Sequence, residues 1–182
     1  MKYAKTVLLK NNKECVLRNA EGSDAKEVLD IFNLTHEQTD YLLTYPDENS
    51  FDDEKERQFL IEKANSTNEI EICAIVDGRI VGTAGIEAVG KKEKVKHRAE
   101  FGLSIEKDYW GMGIGKALAQ ACIECAKIAQ YAQLELSVVN ENQRAIRLYE
   151  SVGFKEYGRN PKGFCSRNTG WQEVVLMRIE LN

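Results

Sequence analysis

The stretch that decides the fold runs Phe101-Gly102-Leu103-Ser104-Ile105-Glu106-Lys107-Asp108-Tyr109-Trp110-Gly111-Met112-Gly113-Ile114-Gly115-Lys116-Ala117-Leu118. It predicts a strand that passes through a glycine turn into a helix. Glycine lets the backbone approach a ligand closely, and the first turn of a helix presents about four unpaired N–H groups with roughly half a positive charge. The turn is therefore suited to an anion such as a pyrophosphate, although a tight strand-to-helix corner would use the same glycines.

Two other phosphate-binding patterns fit this turn poorly. A P-loop needs Gly-x4-Gly-Lys-Ser/Thr, but here Ala117 follows Gly115-Lys116 and Trp110 occupies the first glycine position. A dinucleotide fingerprint needs G-x-G-x-x-G, whereas the glycines here alternate at 111, 113 and 115. Both nucleotide-binding classes are disfavoured.

A second motif lies downstream, from Val138-Val139-Asn140-Glu141-Asn142-Gln143 to Ser151-Val152-Gly153-Phe154. We predict a helix over Glu141 to Val152, capped by Asn140 with Gln143 completing a capping box. Asn142 and Tyr149 are seven residues apart and share a face of that helix. Tyr149 is then either a functional group on this face or simply a core aromatic residue.

The remaining patterns alternate between helical and strand periods and predict an α+β fold with a mixed sheet. Ser23 and either Asp52 or Asp53 are the predicted N-caps of two early helices. The predicted elements are, in order, a hairpin (Thr6 to Lys10 and Glu14 to Arg18), a helix, an irregular cover (Thr35 to Phe51), a helix, three strands (Ile70 to Val76, Arg79 to Val89, His97 to Ile105), a helix (Gly113 to Gln130), a strand (Leu134 to Val139), a helix (Glu141 to Val152), a strand (Phe154 to Tyr157), a loop (Gly158 to Trp171) and a last strand (Gln172 to Leu181).

Length and composition narrow the class of protein. The 182 residues, 43% hydrophobic and 30% charged, suit one globular domain over residues 1–182. A net charge of -4 and a pI near 5.4 argue against a nucleic-acid partner. No apolar run has the length of a signal peptide or a membrane span, so we expect a cytoplasmic protein without a membrane partner. Cys122 and Cys125 fall on the apolar stripe of a predicted helix, where core packing explains them better than redox or metal chemistry.

The two motifs together, in this order and at this separation, resemble those of the GCN5-related N-acetyltransferase (GNAT) superfamily. The resemblance extends over nearly the whole chain. The family pattern Gln/Arg-x-x-Gly-x-Gly/Ala falls on Trp110, Gly113 and Gly115, and the pattern Asn-x-x-Ala-x-x-Leu-Tyr-x-x-x-Gly-Phe falls on Asn142, Ala145, Leu148, Tyr149, Gly153 and Phe154. Trp110 departs from the family because it stands where Gln or Arg is usual. The resemblance implies a mostly antiparallel mixed sheet flanked by about four helices.

The resemblance also implies acetyl-CoA as the co-substrate and an amine as the acceptor. The cofactor would lie between the strand that ends at Ile105 and the strand Leu134 to Val139, and Tyr149 would stabilise or protonate the departing thiolate. A backbone N–H of Leu103 or Ser104 is the candidate donor to the thioester oxygen. The implied cofactor-binding residues are Leu103, Ser104, Ile105, Trp110, Gly111, Met112, Gly113, Ile114, Gly115, Lys116, Asn142, Ala145 and Leu148.

Glu100 is the candidate general base, because alternation along the strand places it on the same face as Gly102 and Ser104. A solvated glutamate paired with Arg98 or a lysine is the alternative, and an ordered water could serve as the base instead. His36 and His97 lack the spacing of metal ligands, so we expect no metal. No sequence feature demands a homodimer, although small enzymes commonly form one.

The acceptor amine stays open between a polypeptide N-terminus, a polyamine, an amino acid and an aminoglycoside. We expect the acceptor to lie under the segments Thr35 to Phe51 and Gly158 to Trp171, the two predicted irregular regions. Their charges conflict: Asp40, Asp47, Glu48 and Asp52 would favour a cationic amine, whereas Arg159, Lys162 and Arg167 would favour an acidic group. Two further readings compete with the enzyme: a non-catalytic acyl-CoA-binding sensor and an unrelated nucleotide-binding protein. The presence of Tyr149 counts against the sensor, which has no need of the phenol.

Overall fold

A computed structural model describes residues 1–181. The strands are β1 (Ala4–Leu8), β2 (Glu14–Asn19), β3 (Ile70–Val76), β4 (Arg79–Ala88), β5 (Arg98–Ile105), β6 (Gln133–Val139), β7 (Lys155–Ser166) and β8 (Gly170–Glu180). The helices are α1 (Ala25–Gln38), α2 (Asp53–Asn65), α3 (Ile114–Ile128) and α4 (Gln143–Ser151). All strands join one sheet in the order β1-β2-β3-β4-β5-β6-β8-β7. Only β5 and β6 pair in parallel, so the predicted α+β fold with a mostly antiparallel mixed sheet and four helices is confirmed.

The two faces of the sheet carry different helices. Side chains alternate between faces along a strand, and in β3 Ile72 and Ala74 pack in the cluster that contains α3, whereas Cys73 packs with α1 and α2. The α3 side holds the larger core, and Cys122 and Cys125 lie within it as buried free thiols. Their predicted place on the buried stripe of a helix is confirmed.

The sheet opens between β5 and β6. These strands are paired only from Arg98 to Glu100 on β5 and from Gln133 to Glu135 on β6. Beyond this point β6 continues to pair with β8 up to Val139, and β5 continues to pair with β4 up to Ile105. The far half of β5 therefore faces a cleft on the side where β6 would otherwise lie.

The last hairpin is longer than predicted. The segment Gly158 to Trp171, predicted as a loop, is mostly strand, because β7 runs to Ser166 and β8 starts at Gly170. The residues typical of a turn in this segment are Asn160-Pro161-Lys162-Gly163. They form a bulge within β7, where the register with β8 shifts between Asn160 and Phe164. Proline is tolerated at a bulge on an edge strand, where its missing N–H costs no ladder bond.

Two predicted helix caps are wrong. Ser23 lies inside a 3-10 turn, Gly22–Asp24, and α1 begins only at Ala25, because Asp24 bonds back to the backbone N–H of Glu21 at 2.8 Å. Asn140 still belongs to the sheet, since its N–H donates to the carbonyl of Glu173. Asn142 caps α4 instead, as its Oδ1 accepts from the N–H of Ala145 at 3.2 Å.

The cap of α2 follows the sequence, since Asp52 accepts from the N–H of Lys55 at 2.9 Å. No helix among residues 1–181 has both the length and the apolar character needed to cross a membrane.

Candidate functional site

The glycine turn ends at the N-terminus of α3. Gly113 is the N-cap, and its φ of 103° lies in the left-handed region that favours glycine. Within residues 1–181 the backbone N–H groups of Ile114, Gly115 and Lys116 have no protein acceptor. Three aligned donors at the positive end of a fifteen-residue helix form a site suited to an anion.

Trp110 fastens this turn to the sheet. Its indole Nε1 donates to the carbonyl oxygen of Ile105 at 2.7 Å, at the end of β5. The indole N–H is therefore occupied within the protein, and the residue that departs from the family pattern acts here as a structural tie between the strand and the turn.

A cation from α4 lies over the same tryptophan. The guanidinium carbon of Arg144 lies 5.3 Å from the centre of the Trp110 ring, and its Nη2 is 2.9 Å from the position that a Cβ on Gly111 would occupy. Lys116 lies in the first turn of α3, the backbone N–H of Lys10 donates to Met112 in the glycine turn, and Arg147 on α4 also lines the cleft. None of these four side chains has an ion-pair partner in the described part of the chain. The end of the cleft at the glycine turn is thus strongly positive.

The exposed edge of β5 offers backbone groups to the cleft. The N–H of Glu106 donates to Val81 and the carbonyl of Arg98 accepts from Val89, so even-numbered residues of β5 bond to β4. Backbone direction alternates along an antiparallel strand, so the N–H and C=O groups of Leu103 and Ile105 point towards the cleft. Of the two predicted donors to a thioester oxygen, the N–H of Leu103 faces the cleft and that of Ser104 faces β4.

Tyr149 lies on the buried face of α4, at the opening between β5 and β6. Its ring packs edge-on against Phe101, with centroids 5.9 Å apart, and also 5.9 Å from Phe154. Burial raises the pKa of the phenol well above its ordinary value. The hydroxyl has no hydrogen-bond partner among residues 1–181, so it is available to a ligand in the cleft.

The cleft has a volume of about 730 Å³ and brings most of the predicted site residues together. Two predicted cofactor-binding residues do not line it. The side chain of Ile114 is fully buried in the core, and Met112 points away, where its sulfur contacts Asn11 and its carbonyl accepts from Lys10. The predicted residues that line the cleft are Glu100, Leu103, Ser104, Ile105, Trp110, Gly111, Gly113, Gly115, Lys116, Asn142, Ala145, Leu148 and Tyr149.

The half of the cleft on the α1 side is lined by parts of both segments that the sequence assigned to the acceptor, and by individual residues that it did not single out. Glu100 lies here, exposed, and has no ion-pair partner within the described residues. The predicted partner, Arg98, binds Glu135 instead: its Nε and Nη2 donate to the two carboxylate oxygens at 2.5 and 2.7 Å. Two further residues, Glu135 and Ser137, could have been found from the sequence, because alternation along β6 places them on the same face of the sheet as Glu100. The added residues are Thr35, Thr39, Tyr41, Leu42, Leu43, Glu135, Ser137, Tyr157 and Phe164.

The arginines of the two flanking segments are held in ion pairs. Arg167 binds Asp47 at 2.7 Å and lies over the ring of Tyr45. Arg159 binds Glu156 and Glu173 at 2.7 and 3.0 Å, within the β7–β8 hairpin. The Arg167–Asp47 pair therefore ties the segment after α1 to the hairpin, and neither arginine indicates the charge of an acceptor.

Asp40 completes this tie. Its carboxylate accepts from the hydroxyl of Ser166 at 2.5 Å, from Tyr45 at 3.2 Å and from Gln172 at 3.3 Å. These hydrogen bonds, that of Ser166 foremost, hold the pKa of the Asp40 carboxyl below its ordinary value.

The two histidines lie apart from one another. His36 is buried on α1, stacked at 3.7 Å on Phe32, and burial lowers its pKa. His97 is exposed before β5. Among residues 1–181 no three His, Cys, Asp or Glu side chains are grouped as metal ligands.

Comparison with known proteins agrees with this geometry. The model of the acetyltransferase (GNAT) family matches residues 28–154. An acetyltransferase of GNAT family from Streptococcus pneumoniae superposes with a TM-score of 0.87 at 30% identity, over 91% of this chain and 99% of that one. The structure of yncA from Salmonella typhimurium with its cofactor acetyl-CoA superposes with a TM-score of 0.81 over 92% of this chain and 94% of that one, and at 18% identity it supports the fold alone.

Among curated proteins, the L-amino acid N-acetyltransferase AaaT of Escherichia coli (strain K12) is 29% identical over 108 residues. The match spans 59% of this chain and 65% of the relative, which is less than two thirds of its length. Because the family model covers more than half of the chain, the chain belongs to the acetyltransferase (GNAT) family, whose members are acetyl-CoA-dependent N-acetyltransferases.

Proposed function

We propose that this protein transfers an acetyl group from acetyl-CoA directly to a primary amine. The observation that carries the proposal is the opening of the sheet between β5 and β6, with unpaired backbone groups on one wall, a cationic glycine turn at one end and the phenol of Tyr149 at the opening. Each part of the cleft suits one part of the two substrates.

The residues at the turn fit the anionic part of acetyl-CoA. The free N–H groups of Ile114, Gly115 and Lys116 and the guanidinium of Arg144 suit a diphosphate. The unpaired groups of Leu103 and Ile105 on β5 suit the amides of an extended pantetheine arm, in the manner of an added strand. The carbonyl of Ile105 is already bonded to Trp110, so the carbonyl of Leu103 and the N–H of Ile105 supply the contacts to the arm.

Asn142 has a narrower role than the resemblance implies. Its Oδ1 caps α4, so only its Nδ2 is left to donate to the cofactor arm.

Acetyl-CoA supplies an activated acyl group as its thioester. A neutral amine forms a bond to the carbonyl carbon, the C–S bond breaks, and the electron pair leaves on sulfur. The N–H of Leu103 donates to the carbonyl oxygen as negative charge develops there. The phenol of Tyr149 donates a hydrogen bond to the departing sulfur.

Full proton transfer from Tyr149 to the sulfur is unfavourable. Even at ordinary pKa values of about 10 for a phenol and about 8.5 for a thiol, it would cost roughly 2 kcal/mol. Burial raises the pKa of Tyr149 further, so the tyrosine stabilises the thiolate by hydrogen bonding.

Glu100 takes the proton that the amine loses. It is the cleft-lining carboxylate on the α1 side without an ion-pair partner in residues 1–181, whereas Glu135 is bonded to Arg98. A group that accepts a proton must lie within hydrogen-bond reach of the acceptor or be linked to it by one water. Its position on the same face as Gly102 and Ser104 supports this role for an amine that arrives from the α1 side.

The test is thiol release from acetyl-CoA with a panel of amines, for the wild-type protein and for Tyr149→Phe. We expect kcat to fall about 100-fold in the variant, because one donor to a developing charge is lost, while the KM for acetyl-CoA stays the same. Tyr131→Phe is the matched control, since Tyr131 is also buried but its hydroxyl bonds Asn68 outside the cleft. Tight binding of acetyl-CoA without turnover on any amine would instead support the sensor reading.

A further inference from the structure

The half of the cleft on the α1 side, where the amine acceptor would bind, carries a net negative charge. This charge restricts the kind of amine that can bind there. The cleft-lining residues on the α1 side include two carboxylates, Glu100 and Glu135, whereas the basic residues that line the cleft come from the β1–β2 turn, α3 and α4. Glu135 is neutralised by the bidentate contact with Arg98. Glu100 therefore leaves this half of the cleft with one uncompensated negative charge.

The arginines nearest to this half are already engaged. Arg98 binds Glu135, while Arg178 binds Glu180 at 3.4 Å and lies over the ring of Tyr157. On the hairpin, Arg159 binds Glu156 and Glu173. A carboxylate next to the acceptor amine would consequently meet the charge of Glu100 with no unpaired cation among the described cleft-lining residues on the α1 side to balance it. Like charges brought together in a site are strongly unfavourable.

The walls of this half are apolar and aromatic. They are formed by Tyr41, Leu42, Leu43, Tyr157 and Phe164. Leu43 is 76% exposed and Tyr157 is 47% exposed, so both present apolar surface at the mouth. Large exposed apolar side chains that border a cleft are typical of a ligand-binding surface.

Resting on the proposed function, we propose that the acceptor is a primary amine attached to an apolar or aromatic body, with no carboxylate beside the amine. This class differs from the amino-acid acceptors for which the Escherichia coli relative is named. Glu100 attracts the ammonium form of such an amine and then accepts its proton, and the walls hold its body.

The experiment compares amines that differ by a single carboxylate. Phenethylamine is measured against phenylalanine, and tyramine against tyrosine, by thiol release from acetyl-CoA. Phenylalanine amide keeps the bulk of the carboxylate but not its charge, so it separates electrostatic from steric exclusion. We expect kcat/KM to be at least about tenfold higher for each amine, and for the amide, than for the matching amino acid.

Glu100→Gln provides the second readout. The change lowers activity on every acceptor if Glu100 is the base, but the ratio of kcat/KM for phenylalanine amide to that for phenylalanine cancels this common loss. We expect the ratio to fall towards one in the variant, with the Kd of acetyl-CoA unchanged as a control for folding.

Three outcomes decide the proposal. Equal or better use of the amino acids by the wild-type protein would overturn this inference and leave acetyl transfer standing. A ratio that is unchanged in Glu100→Gln would overturn the assignment of the selectivity to that carboxylate. Absence of thiol release with every amine would remove the proposed function, and this inference with it.

Discussion

At the scale of single residues, the pair of Trp110 and Arg144 explains how the turn keeps its positive charge. The sequence shows that tryptophan stands where the family usually has Gln or Arg, and from the sequence alone this is a lost contact. In the folded chain the indole ties the turn to Ile105, and α4 brings the guanidinium of Arg144 across the ring. A cation is thus supplied by a different element, α4, and its position over the Trp110 ring is a tertiary contact.

Arg144→Ala tests this assignment. We expect the Kd of acetyl-CoA to rise about tenfold, because a hydrogen bond from a charged donor to a phosphate contributes about 1.5 kcal/mol or more. Isothermal titration calorimetry gives the Kd directly. The effect should persist with 3′-dephospho-CoA if the guanidinium contacts the diphosphate, as its place over Gly111 suggests.

The control for this variant is Arg57→Ala, an exposed arginine on α2 that pairs within its own helix. Equal Kd values for Arg144→Ala and the wild-type protein would show that the guanidinium does not contact the cofactor.

At the scale of elements, the contact between β4 and β5 sets the position of the strand edge that faces the cleft. A Cβ on Gly82 would lie 2.6 Å from the carbonyl oxygen of Ser104. That atom belongs to the backbone and cannot move without shifting β5. The glycine is therefore required by the close approach of the two strands.

Gly82→Ala should destabilise the protein by about 1 to 3 kcal/mol, as an overpacked core does. Thermal unfolding should show Tm lowered by roughly 2 to 10 °C for a chain of this length. Gly102→Ala is the matched control on the neighbouring strand, because nothing lies within 4 Å of its added methyl group. A Tm for Gly82→Ala equal to that of Gly102→Ala would contradict this account of the strand spacing.

Elements were predictable where a single local signal dominates. Asp52 caps α2 as expected, and the strong periodicity of α3 located its buried cysteines. The prediction failed where tertiary pairing overrode local chemistry. Asn140 is a residue type that favours helix caps, but its N–H donates to β8. Pro161 is typical of a loop, yet β7 pairs with β8 on both sides of the bulge that contains it.

At the scale of the whole molecule, one half-buried carboxyl couples stability to pH. Glu71 lies on β3 with its carboxylate across Gly85 of β4, close to Glu56 and Glu87. Burial, chiefly, raises its pKa from 4.5 to about 7. A raised pKa in the folded state means that the contribution to stability is complete below pH 4.5 and is lost as the pH rises through 7.

Glu71→Gln should remove that dependence, since the amide stays neutral and keeps the shape of the side chain. We expect the variant to be more stable than the wild-type protein by about 2 to 3 kcal/mol at pH 8 and nearly equal to it at pH 4.5. Urea unfolding across this pH range measures the difference. Glu14→Gln, a change at an exposed glutamate on β2, is the control, and parallel curves for Glu71→Gln and wild type would contradict the prediction.

The fold class was accessible from the sequence, because two separated motifs identified the family and the periodicities agreed with it. The residues proposed to bind the cofactor were accessible for the same reason. For the half of the cleft on the α1 side, the sequence indicated the segments 35–51 and 158–171 but not the individual residues, since Thr35, Tyr41 and Phe164 come from distant parts of the chain and meet only after folding. The charges of Asp47 and Arg167 seemed to conflict in the sequence because their pairing is a tertiary contact.

The carboxylate of Asp40 has a consequence for protein engineering. It receives hydrogen bonds from Ser166 and Gln172, which join the segment after α1 to the far end of the last hairpin. The two segments would therefore have to be replaced together in a chimaeric protein. If either segment alone were replaced by that of another enzyme, the carboxylate of Asp40 would be separated from its hydrogen-bond donors. Laboratory evolution towards other amine substrates should therefore exchange residues 39–52 and 163–172 together.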